Sequence, residues 1–196
     1  MLAALLSLVL AQAADLRGVT QANPVPTEVV APVAAKLAAS GVRATANGTT
    51  ITFWWVKDLP GTSWKDVPEG TLIGAVKLDA DVRDIRGHLM KAGVYTLRYG
   101  IQPATDDHFG VSPFRDFLLL SPAAVDKDPA VVDHDHLVDL SKQTLGIKHP
   151  AVWSIDPPSA KDAPLSIYTT DLGHKSLIVQ VGQLKFGIVL IGRIVT

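Results

Sequence analysis

Asp106, Asp107 and His108 stand side by side in a polar stretch, ATDDHFG, and are the densest short grouping of chemically capable side chains in the sequence. A carboxylate beside an imidazole can orient it as a general base, and the same groups are ligands for a divalent cation. His149 is the imidazole that would join Asp107 and His108 in such a metal site. Base chemistry also needs a nucleophile or a held water. Ser112 is the nearest hydroxyl, and it lacks the glycine-flanked elbow found around many serine nucleophiles. A second grouping, Asp133-His134-Asp135-His136, separates its histidines by one residue. That spacing aims both rings to one side only in an extended strand. A helix entry is the better reading, with acidic residues matching the positive end of the dipole.

Charges inside strand-like runs form a third set. Arg115 and Asp116 are adjacent, so in a strand they must point to opposite faces. The one that faces inward needs a partner, because an unpaired buried charge is costly. Arg98, in the preceding strand-like run, is the expected partner of Asp116 across a hairpin. Arg98, Arg115 and Asp116 join Asp106, Asp107 and His108 as candidate binding residues. The alternation Asp81, Arg83, Asp84, Arg86 reads as exposed ion pairs, each worth roughly 0–1 kcal/mol. The chain has no cysteine, which excludes disulfides, thiolate nucleophiles and thiolate zinc sites. Glycine-rich phosphate loops and the H-E-x-x-H pattern are absent as well.

The elements that would hold these residues are mostly strands. Asn47-Gly48 lies between two extended runs and supplies the positive φ angles of a two-residue hairpin turn. Beyond it Ile51, Phe53 and Trp55 share one face while Thr52 and Trp54 share the other. Trp54-Trp55 therefore reads as one ring in the core and one covering an edge, with a stacking platform for a flat ligand as the alternative. Further strands are expected over residues 71–78, 94–101, 114–120, 151–155, 165–169, 176–181 and 185–195, the last two joined at Gly182-Gln183. A short helix should begin near Pro32, since proline is tolerated in a first turn. Another should run through Leu137, Leu140 and Leu145, capped by Asp135 and stopped by Gly146. Gln180, Gln183, Lys185 and Arg193 count against a membrane span in the apolar final third. Short strands without βαβ alternation predict an antiparallel β-sandwich, jelly-roll-like or immunoglobulin-like, with two short helices; a β-barrel is the alternative.

Composition bounds the rest. A chain of 196 residues with 47% apolar and 19% charged side chains suits one domain with a substantial core. We place that domain over residues 41–196, after an N-terminal extension with a short helix over residues 14–40. The formal charge of −1 leaves no broad footprint for nucleic acid or an anionic membrane. The opening MLAALLSLVLAQA is apolar and ends small-x-small, which predicts an export signal over residues 1–13 cleaved after Ala13. An exported chain without disulfides suits the bacterial periplasm or medium.

In GVYTLRYGIQP, HFGVSPFRDFLLLSP and HPAVWSI the sequence resembles an uncharacterised group of secreted bacterial proteins. The resemblance covers roughly residues 41–195 and implies export without implying an activity. The expected function is therefore non-catalytic: an exported β-sandwich that binds a small ligand, a glycan or an envelope partner, without a cofactor. The alternative is a metal-dependent or acid–base hydrolase around Asp107 and His108, holding a divalent metal.

Overall fold

The computed structural model describes residues 16–22, 24–103, 114–158, 161 and 163–192. The export segment and the grouping Asp106, Asp107 and His108 lie outside the described residues. The protein is mainly β, with antiparallel pairing throughout and two short helices. Its strands are β1 (Leu16–Ala22), β2 (Gly41–Ala46), β3 (Thr49–Trp55), β4 (Leu72–Leu78), β5 (Val82–Arg83), β6 (Leu89–Met90), β7 (Gly93–Ile101), β8 (Asp116–Pro122), β9 (Ala151–Asp156), β10 (Ile167–Thr169), β11 (Lys175–Val181) and β12 (Leu184–Ile191). The helices are α1 (Ala31–Ala34) and α2 (His134–Leu145). Ten strands form one sheet in the order β1-β2-β3-β4-β7-β8-β9-β12-β11-β10, and β5 and β6 form a separate small ribbon. Residues 14–40, expected as an extension ahead of the domain, contribute β1 to an edge of this sheet, paired along β2 from Leu16–Ala46 to Ala22–Gly41.

Local chemistry explains the elements. Asn47 and Gly48 adopt φ of 50° and 76°, so the β2–β3 turn has the twist that adjoining strands prefer. Pro occupies the first turn of α1, where no intrahelical N–H is lost. Helix α2 starts two residues earlier than expected. Its cap is Asp133, whose carboxylate accepts from the His136 N–H at 2.9 Å, and not Asp135, which lies within the first turn. Gly146 ends it in the left-handed region at φ 67°, as a C-terminal glycine does.

The sheet curls into a half-barrel. Phe53 in β3 and Trp153 in β9 are separated by four strand spacings, about 19 Å across a flat sheet, yet their ring centroids lie 5.5 Å apart. Trp55 meets Phe186 of β12 edge-to-face, also at 5.5 Å. One face of the sheet thus closes on itself around Ile51, Phe53, Leu97, Leu118, Phe186 and Ile188, all at most 1% exposed. Trp64, from the β3–β4 connection, stacks on Tyr99 at 4.7 Å and closes one end of this core. The β5–β6 ribbon, from the β4–β7 connection, brings buried Met90 to the other end. On the outer face, Leu137 of α2 packs on Phe117 and Leu119. Trp54 also faces outward and lies over Gly41, where an added Cβ would stand 2.7 Å from its indole nitrogen. At 3% exposure that ring has no face to offer a flat ligand.

Candidate functional site

Among the described candidate residues, Arg98, Arg115 and Asp116 do not form one cluster. The β7–β8 register sets Asp116 opposite Ile101 and Arg98 opposite Leu119, so Arg98 and Asp116 point to opposite faces. Arg98 is fully buried beneath the segment that follows β8. Its guanidinium grips Asp126 through two hydrogen bonds, Nε to Oδ2 at 2.7 Å and Nη2 to Oδ1 at 2.8 Å. It also donates to the carbonyls of Gly70, Ala130 and Asp128, which satisfies all five of its N–H groups. Asp126 accepts in addition from the Thr96 hydroxyl at 2.5 Å. Asp116 accepts instead from the Tyr99 hydroxyl at 2.5 Å; burial first, then this carboxylate, pushes the phenol well above its ordinary range. Arg115 donates from Nε to the Gln102 carbonyl at 2.9 Å at an exposed position. Arg98 is thus a structural anchor whose partner lies 28 residues away.

The charged alternation after β4 also differs from the expected run of exposed pairs. Asp81 does pair with Lys91 at 2.8 Å in solvent. Asp84, however, has a fully buried side chain that accepts from the backbone N–H groups of Arg86 at 2.9 Å and His88 at 2.8 Å. Its second oxygen meets His88 Nδ1 at 3.0 Å. His88 in turn stacks on His149, centroids 5.2 Å apart. His149 Nδ1 donates to the Pro150 carbonyl at 2.7 Å, and His149 Nε2 receives Arg86 Nη1 at 2.6 Å. Both ring nitrogens are therefore engaged. Burial first, and then the Arg86 guanidinium, hold the His149 pKa below its ordinary value, against the hydrogen bond to the Pro150 carbonyl. Among the described residues no group of three or more acidic or histidine side chains is arranged to hold a metal ion.

A further buried grouping joins β9 to β11. The Ser176 hydroxyl donates to Asp156 Oδ2 at 2.7 Å, and His174 Nδ1 lies 3.2 Å from the same atom. Hydroxyl and imidazole both address the carboxylate, so the group lacks the serine–imidazole contact that activates a nucleophile. Its chemistry is that of a satisfied polar core.

The candidate site is a cavity of about 400 Å³ at the ribbon end of the half-barrel. Strands β9 and β12 pair only at Gly187–Asp156 and Ile188–Ile155, after which they diverge. Where the ladder stops, the Trp153 indole N–H reaches across to the Val189 carbonyl at 2.6 Å. The opening is lined by Ile51, Trp153, Ser154 and Val189 from the sheet and walled by Arg83 and Met90 of the ribbon. Ser154 is 6% exposed, and its hydroxyl makes no hydrogen bond among the described residues. Buried hydroxyls are ordinarily partnered, so this one stands out in a lining that also carries Asn47, Thr49, Asp81, Arg83 and Asp84. Sequence reasoning did not find Ser154, and the only signal was a small polar residue on the outward alternation of AVWSID.

No protein-family model, curated protein or solved structure matches the chain.

Proposed function

We propose that the protein is an exported, non-catalytic binding protein that takes a small amphipathic molecule, with an apolar body and one hydroxyl or carbonyl group, into the seam cavity. The observation that carries this reading is a cavity of about 400 Å³ whose lining includes Ser154, a residue with a buried hydroxyl that has no hydrogen-bond partner among the described residues. That volume falls in the range of small-molecule sites, roughly 300–1,000 Å³, and is too small for an extended glycan. The apolar part of the lining, Ile51, Met90, Trp153 and Val189, supplies the driving force, and Ser154 supplies orientation. A ligand that satisfies an idle hydroxyl gains more than one that displaces an existing hydrogen bond, because nothing in the protein has to be broken.

Naphthol, an aromatic ring system with a single hydroxyl, is a suitable probe. Fluorescence titration should show saturable binding, and the thermal midpoint should rise with probe concentration, as binding to the native state requires. Ser154→Ala should bind roughly 2- to 12-fold more weakly, the equivalent of one net hydrogen bond. The same variant should be at least as stable as the parent without probe, since a buried unpaired hydroxyl is lost. Absence of a midpoint shift, or equal affinity in both proteins, would remove the cavity from consideration. Export rests on the apolar leader and the lack of cysteine. Mass spectrometry of the extracytoplasmic fraction should then find a chain beginning at Ala14, and retention of the first thirteen residues on a cytoplasmic product would count against it.

A further inference from the structure

Arg86 and His149 come together across 63 residues of sequence, and the contact joins two parts of the molecule that bear on the seam cavity. Arg86 sits in the tip of the β5–β6 ribbon, whose residues Arg83, Asp84, Gly87 and Met90 wall that cavity. His149 immediately precedes Pro150 and the start of β9, which supplies Trp153 and Ser154 to the opposite wall. The tip is a rigid turn in its own right. Asp84 N–H donates to the His88 carbonyl at 2.9 Å, and the Gly87 N–H donates to the Asp84 carbonyl at 2.9 Å. The buried Asp84 carboxylate fastens the turn from inside through the Arg86 and His88 N–H groups. The turn reaches the connection between α2 and β9 through the hydrogen bond from Arg86 Nη1 to His149 Nε2.

The geometry dictates the protonation state of His149. The Pro150 carbonyl can only accept, so Nδ1 carries the proton; a guanidinium can only donate, so Nε2 must present its lone pair. Protonating His149 would place two donors, each on a cation, 2.6 Å apart. We propose that the Arg86–His149 contact, which lies in the adjoining cleft, is a pH-sensitive pin on the ribbon that walls the seam cavity, closed near neutral pH and released in mild acid. The proposal rests on the seam cavity being the binding site, and it adds the regulation of that site.

The surroundings of His149 favour release over a compensated imidazolium. From the ribbon it faces Arg86 and the stacked His88, which is itself held by Asp84. From the β3–β4 connection and from α2 the nearest titratable groups in the adjoining cleft are Glu69 and His134, which are bonded to each other at 3.0 Å. The same Glu69 oxygen, Oε1, also accepts from the Ile101 N–H at 2.8 Å. Lys148 adds a like charge next in sequence. A protonated His149 would be a cation held against Arg86, with the nearby Asp84 carboxylate already shared among three donors. The depressed His149 pKa agrees with this balance.

Hydrogen–deuterium exchange on the full chain, corrected for the intrinsic pH dependence of amides, tests the pin without any ligand. Amides of the ribbon tip should exchange on the order of tenfold faster at about pH 5 than at about pH 7.5, while those of β7 stay unchanged. In His149→Gln, whose carboxamide oxygen accepts from Arg86 at every pH, the acid response should disappear. Equal ribbon protection at both pH values in the parent, or an undiminished response in His149→Gln, would overturn the proposal. Should His149→Gln lose protection in β7 as well, Arg86→Gln decides: it must show fast ribbon exchange already at about pH 7.5 with no further acid response, and any other pattern overturns the pin. Naphthol affinity should fall in acid for the parent and not for His149→Gln. If naphthol binds neither protein at either pH, the cavity reading fails while the exchange result still decides the pin.

Discussion

Removing Asp126 would leave the Arg98 guanidinium fully buried without its countercharge, and such losses cost about 3–5 kcal/mol. Asp126→Ala should therefore lower the urea midpoint sharply. The double replacement Arg98→Met with Asp126→Leu should recover much of that loss, because no stranded charge remains; a double variant as unstable as Asp126→Ala would show that the network does more than neutralise charge. Tyr99 makes a prediction at the other end of the pH scale. The unfolded chain releases a phenolic proton near pH 10, whereas the folded protein holds the Tyr99 proton against Asp116. Stability present below about pH 10 should thus fall as pH rises above it, and Tyr99→Phe should reduce that slope in alkaline thermal melts. Neither partner was legible in the sequence. Asp116 was the nearer carboxylate to Arg98 along the chain, but strand alternation put it on the wrong face, and Asp126 reaches Arg98 only because the segment after β8 folds back over the sheet.

Two glycines show how differently a turn and a packed connection depend on the same residue type. Gly48 has positive φ and open space around an added Cβ, so Gly48→Ala should cost only the left-handed backbone penalty, about 1–2 kcal/mol. Gly70 also has positive φ, but a Cβ there would stand 1.8 Å from the Val132 carbonyl oxygen. Because backbone cannot swing aside as a flexible side chain does, Gly70→Ala should be far more damaging in chemical denaturation and should also disturb the Arg98 network, in which the Gly70 carbonyl accepts. At α2, Asp133→Ala should cost about 1 kcal/mol through the lost cap, whereas Asp135→Ala should leave the capping bond intact; equal losses would place the cap elsewhere. The hairpin turn, the proline-started α1 and the leucine face of α2 were legible because each depends on a few neighbouring residues. The choice of Asp133 over Asp135 was not, since either can cap and the decision falls to where α2 docks on β8.

The aromatic contacts from β3 to β9 and β12 make the two arms of the curled sheet share one core. Phe53→Ala should cost about 3–5 kcal/mol, and near- and far-ultraviolet circular dichroism should still report one coincident unfolding transition. Separate midpoints would show that the arms fold independently. The sequence by itself determined a mainly antiparallel β chain with two short helices, because alternation, positive-φ turns and helix caps are written in residues close together. Tertiary structure alone decided that the sheet is a single curled layer with β9 and β12 parting after two residue pairs. The idle Ser154 hydroxyl, the cavity beside it and the Arg86–His149 contact all follow from that curl, since each depends on which distant strands meet and how far they stay together, and no local pattern encodes either.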